Sequence, residues 1–237
     1  MSDSGRKAGL DPHDVAQCDV SSLGASIGLL GGAFDPPHNG HVAVAREALA
    51  QLDVRSLLVV VTAEAPHKSI DTPAETRLRL AEIAFAGESD TEVSRVELDR
   101  VGPSYTLDTV RWAAEQYGEP TFIIGADEFS DFLSWHDPAG VLAAARLAVA
   151  TRPGFPHSRL DLVLRELDQP ERVQFFSIPE IPTSSSQLRQ CVKQGTSIDD
   201  LVSTEVAHEI AVLGLYRDAS EVKAVPSDQM PPGCERS

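Results

Sequence analysis

His38 and His41 stand three residues apart in the stretch GGAFDPPHNGH, residues 31–41. On the first turn of a helix that spacing puts both imidazoles on one side. Each can then donate a hydrogen bond to an anion and, when protonated, add charge where negative charge develops. Gly31 and Gly32 permit close approach of the backbone, Gly40 between the histidines leaves room for a ligand to lie close, and Pro36 and Pro37 stiffen the turn. Free N–H groups at a helix start favour a phosphate. Two other readings stay open on spacing alone: ordinary turn histidines, or half of a metal pair. Zinc needs about three protein ligands, and no further His or Cys cluster completes the set. Neither a Walker loop nor a GxGxxG turn occurs here.

The elements around the stretch explain why it could be a site. Apolar runs, SIGLL (26–30), SLLVVVT (56–62), TEVSRVEL (91–98), TFIIG (121–125), RLAVATR (146–152) and RVQFFSI (172–178), read as strands. Between them lie helix-period segments, HVAVAREALAQL, ETRLRLAEIAFAG, YTLDTVRWAAEQYG and, after the last strand, SSSQLRQCVKQG. This alternation predicts βαβ units: an α/β fold with an open parallel sheet and helices on both faces. Ligands of such sheets bind beyond the carboxyl ends of strands, which is where GGAFDPPHNGH falls. We expect a single domain over 26–216, with a disordered extension at 1–25 and a disordered tail at 217–237.

Composition narrows the classes. The formal net charge of −16 disfavours nucleic acid and anionic lipid as partners, so any phosphate site must be built locally. Three scattered cysteines, Cys18, Cys191 and Cys234, argue against a disulfide framework or a zinc site. No run of about 18 apolar residues suits a membrane span, and the first residues lack the apolar middle of a secretory signal. The cytoplasm is the expected compartment. Self-association is left open.

GGAFDPPHNGH resembles the GG(T/A)FDPxHxGH signature of the nucleotidylyltransferase superfamily, whose fold is Rossmann-like and whose HxGH box holds ATP phosphates. Five later segments, in the family's order, are similar to one branch, the bacterial nicotinate mononucleotide adenylyltransferases: APHK (65–68), ELDRVGPSYTLDTV (97–110), FIIGADEFSDFLSWHD (122–137), TRPG (151–154) and TSSSQLR (183–189). The departures are Ala33 for a commoner threonine, Glu64–Ala65 in place of a proline-rich stretch, and Ser186 for threonine.

The resemblance implies adenylyl transfer from ATP to nicotinate mononucleotide, with Mg²⁺ accompanying ATP and no protein-held metal. It implies an ATP site of Gly31, Gly32, Ala33, Phe34, His38, His41, Gly125, Asp127, Ser184, Ser185 and Arg189, with His38, His41 and Arg189 acting on the phosphates. It implies an acceptor site of Lys68, Ser104, Tyr105, Thr106 and Trp135. Residue types alone allow plainer roles: Ser184–Ser186 as helix caps with Arg189 solvated, Asp127, Ser104 and Thr106 as caps, Lys68 solvated, and Trp135 and Trp112 in the core. No GxSxG elbow or Cys–His pair offers a protein nucleophile. Transfer to nicotinamide mononucleotide or phosphopantetheine, and a non-catalytic nucleotide-binding regulator, are the alternatives.

Overall fold

The computed structural model describes residues 26–66 and 69–217. The expected extension 1–25, the tail beyond Arg217, Cys18, Cys234, His67 and Lys68 lie outside the described residues. The chain runs β1 (Ile27–Gly32), α1 (Asn39–Gln51), β2 (Ser56–Val61), α2 (Ala74–Phe85), β3 (Thr91–Ser94), α3 (Thr106–Tyr117) and β4 (Thr121–Gly125). It continues through α4 (Ala126–Ser130), α5 (Pro138–Ala144), β5 (Arg146–Thr151), α6 (His157–Glu166), β6 (Val173–Ser177), α7 (Ser185–Lys193) and α8 (Thr204–Val212). The strands form one parallel sheet in the order β3-β2-β1-β4-β5-β6. The order reverses between β1 and β4, so the crevice for a ligand opens at the carboxyl ends of that pair.

Consecutive strand residues point to opposite faces, as a pleat requires, and the two faces carry separate cores. Leu29, Leu58, Val60, Phe122, Ile124, Leu147 and Val149 pack with α3, α5 and α6 on one face. Leu30, Leu57, Val59, Val61, Ile123 and Ala148 pack with α1 and α2 on the other. That is why VVV and FII are continuously apolar: each strand is covered on both sides. A third cluster joins Leu80 of α2 to Leu188 of α7 and to Val206 and Ile210 of α8. Strand β3 ends at Ser94, short of the expected Leu98. There the chain turns, with the Leu98 and Asp99 N–H groups donating to the Arg95 carbonyl.

One buried charge organises the carboxyl ends of the strands. Arg77, on α2, is 1% exposed. Its Nε donates to Thr72 O at 3.0 Å, Nη1 to Ala33 O at 2.8 Å and Thr62 O at 2.6 Å, and Nη2 to Ala63 O at 3.1 Å. Burial lowers its pKa, while Asp35 acts against that shift. The fork therefore holds the ends of β1 and β2 together. Arg77→Met, which keeps the bulk but orphans four carbonyls, should cost about 3 kcal/mol or more, measured as a fall in the urea midpoint.

Candidate active site

Helix α1 begins directly after the β1 turn. His38 is its N-cap, and its first turn carries no acidic residue. The backbone N–H of His38 donates to His41 Nδ1 at 3.2 Å. With Nδ1 accepting, neutral His41 carries its proton on Nε2, so Nε2 is a donor. The two rings stack with centroids 3.7 Å apart and planes 26° apart. A Cβ on Gly40 would lie 2.9 Å from His38 Nδ1. Glycine is thus required for the rings to stand as they do.

Beneath the pair, Phe34 adopts a left-handed backbone, φ 50°, and is 1% exposed. Its ring meets His41 edge-on at 4.9 Å and Phe85 at 6.1 Å. Burial pushes His38 down to about 4. Burial, and then the neighbouring His38, hold His41 well below the ordinary histidine value. Both rings are therefore neutral donors near pH 7.

A cleft of about 370 Å³ opens beside them, walled by His38, Gly40 and His41, by residues 125–128 after β4, by Arg152 after β5, and by residues 183–185 before α7. His38 Nδ1 and Thr183 Oγ1 are buried without a hydrogen-bond partner among the described residues. Each such group costs about 1–3 kcal/mol, a cost that a ligand oxygen or hydroxyl would relieve. Ser184 caps α7 by accepting from Gln187 N at 3.2 Å. Ser185 Oγ donates to Pro36 O at 2.9 Å, fastening α7 to the β1 turn.

The remaining expected residues sort into three groups. Gly125 and Asp127 reach the cleft, and Asp127 pairs with Arg152 at 2.9 Å rather than capping a helix. Gly31, Gly32, Ala33 and Phe34 are not in its lining. A Cβ on Gly31 would meet the Phe122 ring at 3.1 Å, and one on Gly32 the Phe34 ring at 3.1 Å. These glycines admit aromatic rings. Arg189 also stands outside the lining, with Nη1 donating to Asp35 O at 2.6 Å and Nη2 to Ser186 Oγ at 3.2 Å.

The acceptor-side residues gather at the other half of the switch point. Ser104 Oγ accepts from Ala63 N and Glu64 N, each at 3.1 Å, and Ser104 N donates to Glu64 O at 2.8 Å. Capping by Ser104 or Thr106 is corrected: Tyr105 is the N-cap of α3 and no side chain caps it, because the Ser104 hydroxyl is spent on the 63–64 loop. Tyr105 lies over His136 with centroids 4.3 Å apart. Half-buried Trp135 meets Phe132 at 5.4 Å and Phe122 at 6.2 Å, both edge-on. Phe122 thus touches both halves, Gly31 on one side and Trp135 on the other. Trp112 is half-buried against the core, as its helix suggests. Arg152 and Thr183 are cleft residues that sequence reasoning passed over. For Arg152 the signal was present, a TRPG turn at a strand's carboxyl end.

A Rossmann-like sheet with an imidazole pair at its switch point defines the nucleotidyltransferase class, and comparison with known proteins agrees. A family model described as cytidylyltransferase-like matches residues 29–191. A probable nicotinate-nucleotide adenylyltransferase of Thermus thermophilus is 40% identical over 193 residues, 81% of this chain and 99% of the relative. One of Rubrobacter xylanophilus is 36% identical over 196 residues, 81% of this chain and 92% of the relative. The nicotinic acid mononucleotide adenylyltransferase of Plasmodium falciparum, solved with NaAD, shares the fold. Its TM-score is 0.64 at 19% identity, over 81% of this chain and 97% of that one. The chain therefore belongs to the cytidylyltransferase-like family, in its nicotinate-nucleotide adenylyltransferase branch.

The buried pair makes stability depend on pH in a definite direction. Unfolded His38 takes its proton near 6.5 and folded His38 near 4, so between those values the unfolded chain binds more protons. Stability should be full above pH 6.5 and fall as pH drops towards 4, by up to about 1.4 kcal/mol per pH unit from this group. Urea midpoints from pH 7.5 to 4.5 should show the fall, and His38→Gln should make it shallower while leaving the part due to His41.

Proposed function

We propose that the chain transfers the adenylyl group of ATP to nicotinate mononucleotide, forming deamido-NAD and pyrophosphate. The names of relatives about 40% identical over nearly their whole length support this reading. The observation that carries it is the stacked pair of His38 and His41 at the start of α1, beside a cleft at the switch point.

An oxygen of the mononucleotide's 5′-phosphate attacks the α-phosphorus of ATP in line. The bond from that phosphorus to the bridging oxygen breaks, and its electron pair leaves with pyrophosphate. No protein nucleophile takes part. Catalysis rests on position and on donors aimed at developing charge. His41 Nε2–H, the His38 ring and the positive end of the α1 dipole hold the phosphates, Ser184 and Ser185 border them, and Arg189 supplies the full positive charge. Gly125 and Asp127 flank the adenosine. Tyr105, Thr106 and Trp135 flank the pyridine nucleotide, and the family resemblance adds Lys68 to them. Magnesium enters as part of the MgATP substrate, held by phosphate oxygens and water. Among the described residues no helix is long and apolar enough to cross a membrane.

Purified protein given MgATP and a single mononucleotide should release pyrophosphate with the nicotinate form. Release only with nicotinamide mononucleotide or with phosphopantetheine would reassign the acceptor, and ATP binding without any product would make the chain a regulator. His41→Ala should lower kcat/KM by about 100- to 1000-fold with an unchanged far-ultraviolet spectrum.

A further inference from the structure

Tyr216 follows α8 in a left-handed backbone conformation, φ 64°, and its side chain returns to the β1 turn. Its hydroxyl donates to Asp35 Oδ1 at 2.8 Å. Asp35 is 9% exposed, and it also touches Arg189 in a lopsided way. Arg189 Nη1 donates to the Asp35 main-chain oxygen at 2.6 Å, while the nearest carboxylate oxygen, Oδ2, stands off at 3.7 Å. The guanidinium is therefore held by two neutral acceptors, Asp35 O and Ser186 Oγ. It does not form the two-pronged carboxylate pair that Arg and Asp readily make.

A guanidinium held by neutral oxygens keeps most of its attraction for an anion. One locked to a carboxylate must first give that carboxylate up. Tyr216 engages Oδ1, and that bond fixes the carboxylate in the orientation in which Oδ2 stands 3.7 Å from Arg189 Nη1. Burial raises the tyrosine's pKa, and the charge of Asp35 adds to the shift, so the phenol remains a donor at any pH near neutrality. Arg77 is the other cation that Asp35 faces, acting through space. Four of its five N–H donors are spent on carbonyls, and none of its hydrogen bonds reaches the Asp35 carboxylate.

We infer that Tyr216 is a positioning residue for phosphate binding: by engaging Asp35 it keeps the Arg189 guanidinium free of a full ion pair and available to the triphosphate of ATP. The inference rests on the proposed role of Arg189. It gives Tyr216 a function that neither the cleft lining nor the motif residues account for.

A double-mutant cycle tests it. Tyr216→Phe, which removes one oxygen, should raise both the calorimetric Kd and the KM for MgATP by about tenfold, the effect of one charge-assisted contact. KM for the mononucleotide should change less than twofold. In an Arg189→Ala background the same substitution should change the MgATP Kd less than twofold. Equal losses in the two backgrounds, no loss of MgATP affinity in either, or a loss confined to the mononucleotide would overturn the inference. Unmutated protein that binds MgATP but transfers nothing to the mononucleotide would overturn only the proposed reaction. Unmutated protein that does not bind MgATP would overturn both.

Discussion

The site depends on a buried guanidinium. Arg77 donates to carbonyls at residues 33, 62, 63 and 72, three short segments that no ladder of strand hydrogen bonds would hold in one place. The chain leaving β1 must turn sharply through Phe34, and the chain leaving β2 must cross towards α2. Each turn exposes carbonyls away from solvent, and one planar fork satisfies them together. Ala33 leads directly to Phe34 and the histidine pair. Thr62 and Ala63 lead to the loop clasped by Ser104. The halves proposed for ATP and for the acceptor are thus fastened to a common charge.

The phosphate grip follows a second constraint, the chain's net charge of −16. An acidic protein cannot attract a triphosphate by its general field, so attraction must be local and short-ranged. The histidines are kept neutral by burial, which makes them directional donors rather than point charges. Helix α1 adds its N-terminal dipole, with no carboxylate in its first turn to cancel it. Arg189 lies against this turn, hydrogen-bonded to neutral oxygens with the Asp35 carboxylate standing 3.7 Å off. On the proposed reading, such a site would recognise phosphate by geometry more than by charge.

Much of the fold was legible because the sheet is covered on both faces. Six apolar runs of strand length matched six strands to within a few residues, β3 being the one that ended early. Helices α1, α2, α3 and α7 were legible from apolar period. Helices α4, α5, α6 and α8 were not singled out. Helix α4 has five residues, and α5 opens on Asp137 and Pro138 with few polar positions to set a period. Helix α6 is mostly exposed. Helix α8 did carry a signal, a Ser203 cap with Val206 and Ile210 four apart.

The sequence by itself determined the chemistry-bearing turn, the strands beside it and the branch of the family. These are local matters: residue types at fixed spacings, and apolar runs whose period follows from backbone geometry. Only the tertiary structure decided what the individual groups are free to do. Gly31 and Gly32 looked like openings for a ligand, yet aromatic rings fill them. Ser104 looked like a cap or a substrate contact and clasps a loop. Asp35 and Tyr216, 181 residues apart, share a hydrogen bond that no spacing rule can foresee. A side chain's function depends on which partners have already claimed its donors and acceptors, and those partners come from distant parts of the chain.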